Sequence, residues 1–219
     1  MTGTARNVAA EALATFLFVF SIVAAVNNAG DLAPLAIGFM LMALIFATGH
    51  ISGGHLNPAV SLAAFLRGVI GFGEFLCYAI GQIIGGILAA LLAGTIWSAP
   101  EGGALQIEAG PAFLVEALVT FILVYVILNV ATSRDHPNNS FYGLAIGSTI
   151  VAGVALGGPV SGGGFNPAVS LSLALGGYFD WSNMWLYVLA PLVGSALAAL
   201  AFRFLNIDDV IKKEKKAAA

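Results

Sequence analysis

The stretch Gly49-His50-Ile51-Ser52-Gly53-Gly54-His55-Leu56-Asn57-Pro58-Ala59-Val60-Ser61-Leu62 decides the fold, because it occurs twice. Its second copy, Gly158 to Leu171, differs only at His50/Pro159, Ile51/Val160, His55/Gly164 and Leu56/Phe165. The copies lie 109 residues apart (166 − 57). Each is a glycine-rich loop, then Asn-Pro-Ala, then an apolar run well short of the roughly 20 residues that span a bilayer. Asparagine before proline suits a helix N-terminus: Asn caps, and Pro takes the first helical position, where its missing N–H costs nothing. Two short helices are predicted, over 57–66 and 166–175, each opening at an asparagine. Arg67-Gly68 is a reasonable stop for the first.

The surroundings are those of a membrane protein. Of 219 residues, 59% are hydrophobic and 9% charged, where a soluble domain carries about 25% charged residues. Six long apolar runs are read at 8–26, 32–48, 74–97, 112–131, 141–156 and 184–204. The 27 glycines suit the close helix packing that small residues allow in lipid. A net charge of −3 gives no footprint for nucleic acid. The single cysteine, Cys77, excludes an intrachain disulfide and a Cys-rich metal site; it reads as a packed small hydrophobe. No paired acid and base, nucleophile constellation or metal cluster is present, so neither an enzyme nor a cofactor is expected. The prediction is an all-α membrane protein of six transmembrane helices and two re-entrant half-helices, forming one domain over 1–219.

The repeat extends beyond the loops. Glu11-Ala12-Leu13-Ala14-Thr15-Phe16 matches Glu116-Ala117-Leu118-Val119-Thr120-Phe121 at a spacing of 105, and Gly85 matches Gly194 at 109. Three spans per half is an odd number, so the second copy (about 112–205) enters the membrane from the face opposite to the first (about 7–97). Such inverted repeats place their functional site near the midplane, between the halves. With six spans and a cytoplasmic N-terminus, Arg6, Arg67, Arg134, Arg203, Lys212, Lys213, Lys215 and Lys216 all fall on the cytoplasmic side. The opposite connectors carry only Asp31, Glu101, Glu108 and Asp180. By the positive-inside rule both termini are cytoplasmic, with a tail over 206–219 whose lysines either touch anionic lipid or are simply solvated.

The two short helices thus dip in from opposite faces and point their asparagines at each other. Each N-terminus carries roughly half a positive charge, and the amides of Asn57 and Asn166 can donate into one spot. Non-helical backbone at membrane depth survives where it lines a wet cavity, so the loops over Ser52–Leu56 and Ser161–Phe165 are expected to offer carbonyls to a pore. This geometry suits neutral hydrogen-bonding solutes and repels cations and protons. The plainer reading, two asparagines that merely cap buried helices, is disfavoured by the inverted duplication.

At these residues the chain resembles the major intrinsic protein family, the aquaporins, over essentially its whole length. The resemblance implies a right-handed bundle, a water-filled pore in each subunit, and a homotetramer in the cell membrane. It makes Asn57, Pro58, Ala59, Asn166, Pro167 and Ala168 the pore motifs. It also makes Glu11 and Glu116 structural, accepting hydrogen bonds from the loops. Taken alone, an intramembrane glutamate would suggest a proton relay; its repetition, and the need of buried loop N–H groups for acceptors, favour bracing. The family's selectivity filter maps to Ile37, Val154, Gly163 and Val169. An arginine is common at the last position, an aromatic at the first and a histidine at the second in water-selective members, and this chain has none of them. Ser170 matches water channels; Tyr187-Val188 matches neither class.

Losing the arginine widens the constriction and removes five donors, while an apolar constriction can also dewet. The favoured reading is a passive water pore that also admits small neutral solutes. The alternatives are a channel mainly for glycerol, ammonia or hydrogen peroxide, and an ion-coupled transporter. The transporter is disfavoured because the spans hold only Glu11, Glu116 and, near an end, Glu74. His55 either lines the pore or braces the loop, and His136 reads as a solvated loop histidine rather than a gate.

Overall fold

A computed structural model describes residues 3–209; Lys212, Lys213, Lys215 and Lys216 lie outside the described residues. The helices are α1 (Gly3–Asn28), α2 (Ala33–Ser52), α3 (Pro58–Arg67), α4 (Phe72–Ala93), α5 (Ala109–Ile127), α6 (Tyr142–Ser161), α7 (Pro167–Leu175) and α8 (Met184–Leu205). Six of them are long and apolar enough to cross a membrane. The other two, α3 and α7, are the half-helices.

The main departure from the sequence reading is at the C-terminal ends of α2 and α6, which run about a turn further than their apolar runs. Gly49, Gly157, Gly158 and Pro159 look like breakers but are helical. At Gly157 an added Cβ would strike Phe165 and Val115, so this glycine serves close packing. The true stops are Gly53 and Gly162, left-handed caps with φ of 96° and 84°. Their N–H groups donate to Gly49 O at 3.0 Å and Gly158 O at 2.8 Å, as αL caps do. α5 ends in a wider π turn over Leu128–Thr132. There Thr132 Oγ1 donates to Leu128 O at 2.7 Å and competes with the regular ladder.

Glycine contacts fix how the helices cross. An added Cβ on Gly85 of α4 would run into the carbonyl of Ala12 on α1, and one on Gly194 of α8 into that of Ala117 on α5. Val8 and Ala12 meet Gly81 and Gly85 in the same order along the chain, so α1 and α4 run parallel. The third crossing joins the halves. A Cβ on Gly38 of α2 would lie 2.6 Å from Gly147 O on α6, and one on Gly147 would lie 2.6 Å from Gly38 O. These two residues are themselves 109 apart (147 − 38). A reciprocal contact between equivalent residues places the pseudo-twofold axis of the inverted repeat between them. The outer faces remain apolar and exposed, as at Leu76, Ile80, Ile84 and Leu88 along α4. Cys77 lies in this stripe and is exposed, not packed as its residue type suggested.

Candidate functional site

Around the same axis the half-helices meet N-terminus to N-terminus. Asn57 Oδ1 accepts from Ala59 N at 2.8 Å, and Asn166 Oδ1 from Ala168 N at 3.0 Å. With each oxygen held by its own helix, each amide nitrogen faces the other half. Asn57 Nδ2 donates to Phe165 O at 2.9 Å, and Asn166 Nδ2 to Leu56 O at 2.8 Å. One hydrogen of each amide is therefore committed across the interface, and among the described residues the second has no acceptor. The amides thus join the two halves as well as facing each other. Pro58, Ala59, Pro167 and Ala168 are buried, and Ala59 O accepts from Ser195 Oγ of α8.

The loops leading to the asparagines are strained and heavily braced. Leu56 and Phe165 adopt left-handed backbone with φ of 52° and 47°, which costs about 1–3 kcal/mol each and persists only when the surroundings demand it. The demand comes from two buried carboxylates. Glu11 accepts from Ser52 Oγ (2.6 Å), His55 N (2.9 Å), Leu56 N (2.7 Å) and Gln82 Nε2 (2.8 Å). Glu116 accepts from Ser161 Oγ (2.6 Å), Gly164 N (2.9 Å) and Phe165 N (2.5 Å). Tyr78 donates to Ser52 O and Tyr187 to Ser161 O. Leu56, Phe165, Ser52 and Ser161 thus have engaged carbonyls. Among the described residues, the loop carbonyls without a protein donor are those of Gly53, Gly54 and His55, and of Gly162, Gly163 and Gly164.

Tyr78 and Gln82 are not flagged by the motif reading. Tyr78 is findable, since it and Tyr187 share the 109 spacing of the asparagines (187 − 78). Gln82 is not, because Pro191 stands at its repeat position. For His55, Nδ1 lies 3.0 Å from Ser61 Oγ, the ring meets Tyr78 edge-on, and the residue borders the cavity.

That cavity, of about 720 Å³, runs from the Pro100–Leu105 connector, between Asn57 and Asn166, to the loop around Ser133–Asn139. Ile37, Val154, Gly163 and Val169 all border it. Gly163 has φ of 75°, so no side chain replaces what the other three lack. His136 borders the mouth, with Nδ1 3.2 Å from Asn129 O. Among the described residues no Asp, Glu, Lys or Arg lines the cavity.

Paired half-helices inside a cavity without Asp, Glu, Lys or Arg among its described lining residues, through a six-span inverted repeat, define a membrane channel. The chain belongs to the major intrinsic protein family, whose family model matches residues 2–202. It is 40% identical over 216 residues to "Glycerol uptake facilitator protein-like 6" of Lactiplantibacillus plantarum, covering 93% of this chain and 100% of that protein. It is 34% identical to "Aquaporin NIP1-2" of Arabidopsis thaliana, covering 93% of this chain and 75% of that one. In fold it matches the aquaglyceroporin of Plasmodium falciparum with a TM-score of 0.76 at 23% identity, over 91% of this chain and 95% of that one. A looser likeness, TM-score 0.59 at 16% identity, links it to an FNT family ion channel, over 93% and 88% of the two chains. It is an integral membrane protein of a family of channels for water and small solutes.

Proposed function

We propose that the protein is a passive pore for water that also admits small neutral solutes, with glycerol foremost. The observation that carries this is a wall whose described residues include no Asp, Glu, Lys or Arg: an ion entering would shed its hydration without a carboxylate, ammonium or guanidinium to compensate, at a cost of many kcal/mol. Water or a polyol instead meets the free amide hydrogens of Asn57 and Asn166 and the free loop carbonyls. The opposed N-termini of α3 and α7 add a positive field that disfavours cations. Ile37, Val154, Gly163 and Val169 form the filter, which discriminates by width and offers no side-chain donor. Glycerol is supported by the similarity, over that protein's full length, to a glycerol uptake facilitator-like protein. Ammonia and hydrogen peroxide fit the same apolar wall. Glu11 and Glu116 brace the loops rather than relay protons. An ion-coupled mechanism lacks a charged site in the cavity.

In this reading both termini are cytoplasmic in the cell membrane and four copies assemble. The orientation is supported by the packing: Arg67 and the backbone of Arg134 meet at Asp209, just beyond the α8 helix that carries Arg203. The test is stopped-flow light scattering on proteoliposomes, first under an impermeant osmotic shock and then with glycerol, urea and ammonia gradients. Non-saturating flux above empty vesicles without an ion gradient is expected. Flux that saturates, or that needs a proton or sodium gradient, would overturn the reading.

A further inference from the structure

Tyr178, in the turn between α7 and α8, borders the cavity at its Pro100–Leu105 end. It is fixed from two sides. Its carbonyl accepts from Leu105 N at 2.9 Å, and its hydroxyl oxygen accepts from Asn27 Nδ2 at 2.7 Å. The second amide hydrogen of Asn27 goes to Val23 O at 2.7 Å, so the amide is locked as a donor towards the phenol. Among the described residues the phenol hydrogen has no acceptor of its own. The cavity it borders is also lined by apolar Phe18, Ile22, Val26, Ile37, Leu105 and Phe179.

We propose that Tyr178, oriented by Asn27, is a specificity-determining residue that presents its hydroxyl hydrogen to the cavity for neutral solutes carrying an acceptor oxygen, polyols above all. The inference deepens the channel reading and rests on it. A solute entering an apolar wall loses partners to water, and a buried polar group without a partner is costly. Water crosses such a wall in a chain and brings neighbours that replace those partners. A polyol displaces that chain, so a donor fixed in the wall matters more to it than to water. At the filter the chain has no side-chain donor; Tyr178 supplies one elsewhere in the lining of the same cavity.

The test compares wild type, Tyr178→Phe and Asn27→Asp in proteoliposomes, reading water permeability under an impermeant shock and glycerol permeability on the same vesicles. Tyr178→Phe keeps the ring and removes the hydroxyl. Asn27→Asp keeps the tyrosine and turns its exposed partner into an acceptor that captures the phenol hydrogen. Both are expected to lower the ratio of glycerol to water permeability by roughly two- to tenfold, the scale of one net hydrogen bond. An unchanged ratio with wild-type flux intact overturns the inference and leaves the channel reading standing. Glycerol and water falling in proportion also overturns it, because that marks a purely structural role for the turn. Wild-type vesicles no more permeable than empty ones would overturn the channel reading, and this inference with it.

Discussion

Arg67 and Asp209, 142 residues apart, are joined twice: Nη2 donates to Oδ1 at 2.8 Å and Nη1 to the Asp209 carbonyl at 2.6 Å. Both side chains are almost fully covered, at 4% and 5% exposure, and the guanidinium lies 4.7 Å above the Phe202 ring. The other carboxylate oxygen accepts from Arg134 N at 3.1 Å. The end of α3, the loop at the cavity mouth and the segment after α8 therefore converge on one ion pair. Removing one partner of a covered pair leaves the other charge stranded, at about 3–5 kcal/mol. Arg67→Met is expected to lower the thermal midpoint in detergent by several degrees. Asp209→Asn should cost less, since its side-chain oxygen still accepts. Equal midpoints for Arg67→Met and wild type would contradict this.

The same clasp sets a dependence on acid. Burial opposes ionisation of Asp209, but the Arg134 N–H, the Ser133 hydroxyl and the Arg67 guanidinium outweigh it and hold its carboxyl below the ordinary 3.8. A carboxyl depressed in the folded state stabilises fully above its unfolded value, and loses that contribution as pH falls through the folded one. Lowering pH from neutral to below 4 is thus expected to destabilise wild type more than Asp209→Asn, as read by thermal melts across pH. A difference between the two that stays constant with pH would refute it.

Close backbone approach at the helix crossings gives a sharper test. Gly85→Ala and Gly194→Ala would each push a methyl group into a neighbouring backbone carbonyl, which cannot swing away as a side chain can. Overpacking of this kind costs about 1–3 kcal/mol. Gly102→Ala, with nothing within 4 Å, is the neutral control. Melting curves showing all three alike would mean that the helices re-space freely.

Much of this was legible in the sequence because the repeat turns one unknown half into two views of the same object. Composition marked the membrane spans, and Asn57 and Asn166 marked the half-helices. The 105 and 109 spacings paired Glu11 with Glu116 and Gly85 with Gly194. What escaped was set by tertiary contact. Gly157 reads as a breaker locally, yet is helical because Phe165 packs where its side chain would be. Gln82 has no counterpart in the second half, so no pattern announces its bond to Glu11. Asp209 lies in a segment that looks like the start of a solvated tail, and only the fold brings Arg67 beneath it.

The braces differ in strength, and that difference is measurable. Glu11 gathers four donors and Glu116 three, because Gln82 is replaced by Pro191 in the second half. Each buried donor left without a partner costs about 1–3 kcal/mol, against a total stability of about 5–15 kcal/mol. Glu11→Ala and Glu116→Ala are both expected to abolish the folded peak in size-exclusion chromatography. Glu11→Gln should be less stable than Glu116→Gln, since it turns an amide N–H₂ towards the larger set of donors. The opposite order would show that donor count does not set the hold on these loops.

The filter prediction follows from Val169, which is 2% exposed and borders the cavity beside Ile37, Val154 and Gly163. Val169→Arg introduces bulk and five N–H donors into a cavity also bordered by Gly162, Gly163 and Gly164, whose carbonyls have no protein donor among the described residues. A buried guanidinium is tolerated only when its donors find acceptors, so the variant is first checked for a folded peak in size-exclusion chromatography. Glycerol permeability is expected to fall by roughly tenfold or more, the scale on which even one added methylene discriminates in a tight site. Water separates two physical pictures. If the wild-type constriction is wet, added bulk lowers water flux modestly. If its apolar wall dewets, the new donors hold water in place and raise the flux. In either case the ratio of glycerol to water falls, and a ratio equal to wild type would show that Val169 does not lie at the narrowest point of the pore.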